Sequence, residues 1–181
     1  MIYVALLRGI NVGGNNKVSM AQLKTSFEQA GMETVKTYIN SGNVIFSDKV
    51  HSSDELTTMI EKIIVDEFGF SVSVLIRTIN EIETIVEALP EPWRNDLAMK
   101  CDVLFLWKDI DREDIVDQLV IKPGVDNVRY VPGAILFAVD RKNITKSGLT
   151  RIIGTPMYKK ITIRNCNTTR KLLEIMKLIE T

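Results

Sequence analysis

One pattern of residues occurs twice in this chain, and it constrains the fold more than any other feature does. Residues 38–46 consist of a tyrosine, an aliphatic residue, a turn with glycine and an apolar run. Residues 130–137 repeat this pattern with a turn that is one residue shorter. An Ile-Arg pair that leads towards a helix stands at 76–80 and again at 163–167. Because both matches come in the same order, they indicate an internal duplication rather than a chance similarity between strands.

The secondary structure predicted around these matches follows one order, β-α-β-β-α-β-α, in both halves. Apolar or β-rich runs predict strands at 2–7, 35–39, 44–47, 70–77, 101–107, 128–131, 134–139 and 160–164. Helical spacing predicts helices that begin near residues 19, 54, 80, 111, 147 and 167. This order is that of a ferredoxin-like unit. We therefore predict an α+β protein of two tandem ferredoxin-like subdomains, residues 1–90 and 91–181, which meet in the polar stretch 91–100.

Polar residues before the helical patterns predict where the helices begin. Ser19, with Gln22 three residues later, has the spacing of a capping box. Such side chains accept hydrogen bonds from the free N–H groups of a first helical turn. The predicted caps of the later helices are Ser53 or Asp54, Asn80 and Asn167.

The stretch from Arg8 to Lys17 distinguishes the first half from the second. From Leu7 to Tyr38 the chain advances 31 residues, whereas the equivalent distance from 107 to 130 is 23 residues, so the first half carries about eight extra residues. The stretch contains three glycines, three asparagines, two cations and no acid. A repeated scaffold folds without such a loop, and long glycine-rich loops in compact domains are more often functional than structural.

An anion site at the start of the first helix is the function that this loop predicts. Free N–H groups and the helix dipole favour negative charge there. Arg8 and Lys17 would supply charge, Gly13 and Gly14 would let the backbone approach a ligand, and Asn11 would orient it. The loop is not a Walker A motif, because residue 15 is asparagine where lysine is required, and it is not G-x-G-x-x-G. The alternative is a solvated loop with glycines at its turns.

Two further segments contribute candidate ligand contacts. Turn chemistry explains the residues at 40–43, but in a ferredoxin-like unit the first strand neighbours the third, which would bring Ser41 and Asn43 towards the loop. The second segment is a strand end followed by a helix start, where capping and anion binding use the same N–H groups. Its candidates are Arg164, Asn165 and Asn167.

Three stretches of the sequence resemble one known family. They are Ala-Leu-Leu-Arg-Gly-Ile-Asn-Val-Gly-Gly at 5–14, Tyr-Ile-Asn-Ser-Gly-Asn-Val-Ile-Phe-Ser at 38–47, and the segment 158–172. In all three the chain resembles the bacterial domain-of-unknown-function 1697 family, although Cys166 stands where that family's C-terminal signature would have tryptophan. The resemblance implies a bacterial cytoplasmic protein of α+β fold and unknown activity.

Composition and motifs exclude several other kinds of protein. With 23 basic and 23 acidic residues the chain lacks the basic excess of a general nucleic-acid binder, and residues 43–47 lack an RNA-recognition signature. No apolar run reaches the ~18 residues that cross a bilayer, and residues 1–8 do not form a signal peptide.

The chain has one histidine, His51, expected to be exposed, and two distant cysteines, Cys101 and Cys166. These residues predict no metal site, and the cysteines are typical of free thiols in a reducing cytoplasm. The acids at 111, 113 and 114 predict only a helix start.

These observations lead to one expectation of function and one alternative. We expect a cytoplasmic protein that binds a small phosphate- or carboxylate-bearing ligand at the Arg8–Lys17 loop, with catalysis left open. No catalytic residue, cofactor or oligomeric state follows from the sequence, and Cys166 is expected to be a small buried residue without a nucleophilic role. The alternative is a non-catalytic module that binds RNA or protein.

Overall fold

The apolar runs of the sequence form two antiparallel sheets of four strands each. In the computed structural model, which describes residues 1–14 and 16–180, one sheet lies in a unit of Met1–Ile82 together with the residues from Leu172 onwards. The other sheet lies in a second unit, Glu83–Lys171. The α+β class is therefore confirmed, while the predicted division into 1–90 and 91–181 stays a prediction.

The first sheet has the strand order β2-β3-β1-β4, and all its neighbours are antiparallel. Every residue of its first strand is buried, as an uninterrupted apolar run predicts. One face of the sheet packs against two helices, whose buried side chains include Phe27 and Ile60. The elements are β1 (Ile2–Leu7), α1 (Met20–Gln29), β2 (Glu33–Tyr38), β3 (Asn43–Ser47), α2 (Ser53–Phe68), β4 (Val74–Thr78) and α3 (Ile79–Ala88).

The second sheet has the order β6-β7-β5-β8, again entirely antiparallel. Its strands are β5 (Met99–Leu106), β6 (Asp126–Val131), β7 (Ala134–Asp140) and β8 (Ile161–Asn165). The helix α4 (Cys166–Glu180) follows β8 in the chain. Short 3-10 helices connect the strands at Glu113–Gln118, Arg141–Lys146, Leu149–Ile152 and Met157–Lys160. None of the helices in the described residues combines the length and the apolar character needed to cross a membrane.

The helices predicted at 111–120 and 147–153 are present only as shorter 3-10 helices, Glu113–Gln118 and Leu149–Ile152, because side-chain hydrogen bonds compete with α-helix formation there. Asp111 does not start a helix; its carboxylate accepts hydrogen bonds from the Tyr130 hydroxyl at 3.0 Å and from the Gly133 N–H at 2.9 Å. The Ser147 hydroxyl accepts a hydrogen bond from the Leu149 N–H at 3.1 Å. Each side chain thus fixes a turn instead of a first helical turn.

The cap of α1 is Ser19, as predicted, but the caps of α2 and α3 differ from the prediction. The Ser52 hydroxyl accepts from the Glu55 N–H at 3.3 Å, and the Glu55 carboxylate accepts from the Ser52 N–H at 2.8 Å. Thr78 and Glu81 form the same reciprocal pair before α3, with distances of 3.3 and 2.7 Å. Ser/Thr-x-x-Glu satisfies two free N–H groups at once, so it displaces the predicted caps at 53, 54 and 80.

The His51 side chain is 36% exposed, so it is partly open to solvent as predicted, but its ring also pairs with a buried carboxylate that the sequence did not indicate. Its ring Nδ1 lies 3.0 Å from Oδ2 of Asp48, whose side chain is only 4% exposed. Burial acts to raise the pKa of Asp48, but hydrogen bonds from the His51 N–H, the His51 ring and the Val50 N–H outweigh burial and lower that pKa. The hydrogen bond to Asp48 in turn raises the pKa of His51.

We expect His51 to titrate with a pKa above its ordinary value of 6.5. The contribution of the charged pair to the free energy of unfolding should be full between the unfolded pKa of Asp48 and that of His51. It should be lost as pH rises through the higher folded pKa of His51, and also as pH falls through the lowered folded pKa of Asp48. Because the chain has one histidine, a single imidazole resonance in an NMR titration gives the value directly. In the Asp48→Asn control the pKa should fall; an unchanged pKa there would contradict the pair.

Candidate functional site

The Arg8–Lys17 loop follows β1 directly and is closed by its own hydrogen bonds. The Asn11 N–H donates to the Asn16 carbonyl at 3.1 Å, and the Asn16 side-chain amide donates to the Gly9 carbonyl at 3.2 Å. Twelve residues, 8–19, separate β1 from α1, whereas six, 107–112, separate β5 from the next helical turn. The first unit thus has the longer connection. Residue 15 of the loop lies outside the described residues.

Asn11 holds the loop against the neighbouring hairpin. Its side-chain amide donates to the Val18 carbonyl at 3.0 Å and to the Asn40 carbonyl at 2.9 Å, and its side-chain carbonyl accepts from the Val18 N–H at 2.8 Å. The backbone at Asn11 is left-handed, with φ +54°. The side chain that we expected to orient a ligand is therefore engaged in fixing the loop.

The hairpin between β2 and β3 lies beside the loop, as expected from the strand order. The Leu7 N–H donates to the Gly42 carbonyl at 2.8 Å. Asn43 is fully buried, and its side-chain amide donates to the Tyr38 carbonyl and to the Ser41 hydroxyl, both at 3.0 Å. Ser41 and Asn43 thus stabilise the turn from inside.

An open depression of about 510 Å³ lies where the loop meets the start of α1. Its lining residues are Asn11, Gly14, Lys17, Val18, Ser19, Met20 and Asn40. Its described lining contains no carboxylate, and the first turn of α1 contains no acid. The structure therefore brings together three of the predicted loop residues, at 11, 14 and 17. Residue 13 is exposed within the same loop, and residue 8 is half-buried outside the lining.

Arg164, Asn165 and Asn167 belong to the second unit, and each has local partners there. Arg164 is buried; its guanidinium donates to the Thr162 hydroxyl at 3.0 Å and to the Ile163 carbonyl at 2.9 Å, and burial lowers its pKa to about 10. This geometry fixes the guanidinium against its own strand.

The cap of α4 is Asn165 and not Asn167, because only the former lies three residues before the amide that needs a partner. Its side-chain carbonyl accepts from the Thr168 N–H at 2.8 Å. Asn167 instead joins a loop of the same unit: its amide donates to the Asn95 carbonyl at 2.8 Å, and its carbonyl accepts from the Asn95 N–H at 3.2 Å.

Cys101 and Cys166 lie side by side, so the prediction that they are distant is wrong. Cys101 precedes Asp102 and Cys166 follows Asn165, and these two neighbours are paired across β5 and β8. Both cysteines are completely buried, as expected for residue 166. A hydrogen bond from the Cys101 thiol lowers the pKa of Cys166 against the opposing effect of burial, and the nearby Arg170 guanidinium lowers it further. The same hydrogen bond, with burial, raises the pKa of Cys101.

We expect Cys166 to be alkylated before Cys101 in the folded protein, because the thiolate is the nucleophile. Peptide mapping by mass spectrometry after timed exposure to iodoacetamide measures both rates. Cys101→Ala removes the donor, so it should slow alkylation of Cys166, whereas Cys101→Ser keeps a donor and should have the smaller effect. Faster modification of Cys101 would contradict this arrangement.

A second cavity, of about 420 Å³, lies within the second unit and was not predicted as a site. Asn165, a predicted ligand contact, is one of its lining residues, and Lys100, Asp102 and Arg141 also line it. The sequence did contain a signal for this cavity, namely Lys100 and Asp102 at alternate positions of a buried strand. Residues i and i+2 of a strand share one face, so both side chains lie on the same side of the sheet.

No group of three or more His, Cys, Asp or Glu side chains in the described part of the chain is placed to hold a metal ion. The absence of a tightly bound transition metal stays a prediction. Elemental analysis of protein purified without an affinity tag should detect no stoichiometric metal, and a stoichiometric zinc signal would contradict it.

Comparison with known proteins gives a family and a similar structure. The model of a family described as protein of unknown function (DUF1697) matches residues 1–137. The chain is similar to the conserved bacterial protein SP0830 from Streptococcus pneumoniae, with 31% sequence identity and a TM-score of 0.82 over 97% of this chain and 98% of that chain. No curated protein matches the sequence.

Proposed function

Because the chain belongs to the DUF1697 family, whose function is unknown, we propose from its own residues that it binds a small anionic ligand of the bacterial cytoplasm at the Arg8–Lys17 loop. The ligand would carry a phosphate or a carboxylate. The observation that carries this proposal is the acid-free depression in which Gly14 and Lys17 meet the start of α1.

The charge around the depression favours an anion. Lys17 is exposed, and no carboxylate of the described residues forms an ion pair with it. α1 spans 10 residues and directs its free N–H groups and positive dipole end towards the loop, because Ser19 and Met20 are part of the lining. A cation and a helix start on one concave surface together favour a phosphate or carboxylate group.

The backbone of the loop supports the same ligand class. Gly13 and Gly14 are exposed, with φ of +60° and +81°, a left-handed conformation that residues with side chains rarely adopt. No described atom lies within 4 Å of where a Cβ would stand at either glycine, so the space beside them is open. Two such glycines in succession let a ligand approach the peptide N–H groups closely.

We infer further that both units are ferredoxin-like and arose by duplication, with the loop as an addition to the first. Corresponding contacts support this: Leu7 N–H to the Gly42 carbonyl, 2.8 Å, against Leu106 N–H to the Gly133 carbonyl, 2.9 Å. The strand orders also correspond when β1–β4 are replaced by β5–β8. A connection that is longer in only one of two equivalent units is more consistent with a binding role than with folding.

A thermal-shift screen against inorganic phosphate, nucleotides, sugar phosphates and small carboxylates tests the proposal. A ligand at 100 times its Kd should add roughly 2.7 kcal/mol of stability. Sodium chloride at matched ionic strength controls for screening, and Lys17→Ala should lose the gain. If no anion stabilises the wild-type protein more than this variant, the loop is not the binding site. A module for RNA or protein then becomes the better explanation.

A further inference from the structure

The 420 Å³ cavity of the second unit has the size and construction of a small-molecule site. Its floor is the face of the sheet formed by β5, β7 and β8, and residues from the 3-10 helices Arg141–Lys146 and Leu149–Ile152 form its walls. All its lining residues lie between 95 and 165, so the cavity is complete within one unit. It shares no residue with the depression at the loop.

One end of the cavity is charged. Asp102, only 8% exposed, lies with its Oδ2 3.3 Å from the Lys100 ammonium. Burial raises the pKa of Asp102, although Lys100 and Arg141 act to lower it. The Arg141 guanidinium is held by the Asn95 side-chain carbonyl at 3.2 Å and by the Asp96 backbone carbonyl.

The Arg141 guanidinium at this end is held by carbonyl groups and not by a direct ion pair. Lys100 and Asp102 form an ion pair, whereas the Asp96 and Asp102 carboxylates attract the Arg141 charge only from beyond ion-pair distance. Among the described residues, no carboxylate is therefore in direct contact with the Arg141 guanidinium at the edge of this partly enclosed space. Guanidinium groups bind carboxylates through two parallel hydrogen bonds, so a single carboxylate fits this position.

Most of the remaining lining is aliphatic, with Ser147, Thr150, Tyr158 and Asn165 as its polar members. Ile152 is buried, Ile144 and Ile163 are half-buried, and further branched side chains line the same space. Such a wall favours an apolar body, because apolar surface removed from water stabilises the complex.

We propose that this cavity binds a monocarboxylate with an aliphatic body, whose carboxylate pairs with Arg141 and whose body packs against Ile144, Ile152 and Ile163. An amine would bring a third cation beside Arg141 and Lys100. A neutral alcohol of the same length would fill the wall but leave the guanidinium without its partner. The proposal is independent of the anion site at the loop.

Octanoate, octylamine and 1-octanol are matched probes for this inference, since they share an eight-carbon body and differ in the head group. With isoleucine methyl groups labelled for NMR, octanoate should cause saturable shifts at residues 144, 152 and 163. Octylamine and octanol should bind at least about tenfold more weakly, which is the size of one charge-assisted hydrogen bond. Equal binding of all three probes, tighter binding of octylamine, or shifts elsewhere only would overturn the proposal.

Arg141→Gln should weaken octanoate binding by about tenfold or more, again the size of one charge-assisted hydrogen bond. Lys142→Gln is the matched control: it removes an exposed cation from the same 3-10 helix, does not line the cavity, and should leave binding unchanged. Arg141→Lys keeps the charge and should restore part of the affinity. Equal affinity of Arg141→Gln and wild type would contradict the role of Arg141. If the Arg141 variants do not fold, the three probes on the wild-type protein decide the question.

Discussion

Gly42→Ala is expected to lower the free energy of unfolding by about 2–5 kcal/mol. Gly42 has φ +81°, and a left-handed conformation costs a residue with Cβ about 1–2 kcal/mol. The added Cβ would also stand 2.8 Å from Cβ of Leu7 and 3.0 Å from two side-chain carbons of Ile10. These neighbours are buried, so they cannot move aside freely, and overpacking of this kind costs about 1–3 kcal/mol.

Gly14→Ala is the matched control, because it separates backbone strain from the steric clash. Gly14 has the same φ of +81°, but no described atom lies within 4 Å of its Cβ position. It should therefore cost only the backbone term, about 1–2 kcal/mol. Urea unfolding of both variants measures the difference. Equal losses would mean that the hairpin tip does not pack against β1 as described.

The parts of the fold that local residues determine were predictable from the sequence. Strand β1 follows from an uninterrupted apolar run, and the cap of α1 follows from Ser19 alone. The sequence also shows the caps of α2 and α3 as Ser/Thr-x-x-Glu at 52–55 and 78–81. These motifs cap the helices in place of the single polar residues at 53, 54 and 80, because a capping box satisfies two free N–H groups and a single side chain satisfies one.

Features that depend on distant contacts were not predictable. The 3-10 helix at 113–118 replaces an expected α-helix because Asp111 bonds to the hairpin around Gly133, more than twenty residues away in the chain. The cysteine pair depends on the register of β5 against β8. The aliphatic cavity draws its lining from several separate segments between 95 and 165, and no local pattern unites them.

The role of the loop could be predicted from its composition, but the hydrogen bonds inside the loop could not. Its glycines and cations indicated a ligand site, and Gly14 and Lys17 do share one depression. The side chains of Asn11 and Asn43, however, are engaged with backbone carbonyls of the loop and hairpin. Asparagine is favoured at turns as well as at ligand sites, so residue type alone did not distinguish the two roles.

Lys17→Ala is expected to weaken binding of the anion by about 1.5–3 kcal/mol, or roughly 10- to 150-fold in Kd, because it removes a charge-assisted contact. Folding stability should change little, since Lys17 is exposed and an exposed cation contributes little to folding. Lys24→Ala is the matched control: Lys24 is an exposed cation of α1 that does not line the depression. Calorimetric titration of the three proteins with the anion selected by the thermal-shift screen measures the affinities. Similar losses in both variants would indicate general electrostatic attraction rather than a site.

The measurement that tests the anion site most directly is an NMR titration of ¹⁵N-labelled protein with inorganic phosphate at constant ionic strength. Gly13 and Gly14 report on the loop, and Met20 reports on the start of α1, through their backbone amides. We predict that these amides shift together along one saturable curve, that Lys17→Ala abolishes or strongly weakens it, and that Lys24→Ala does not. Amides of the loop that stay unchanged at saturating phosphate, or that shift no more than exposed amides elsewhere, would contradict the proposed function.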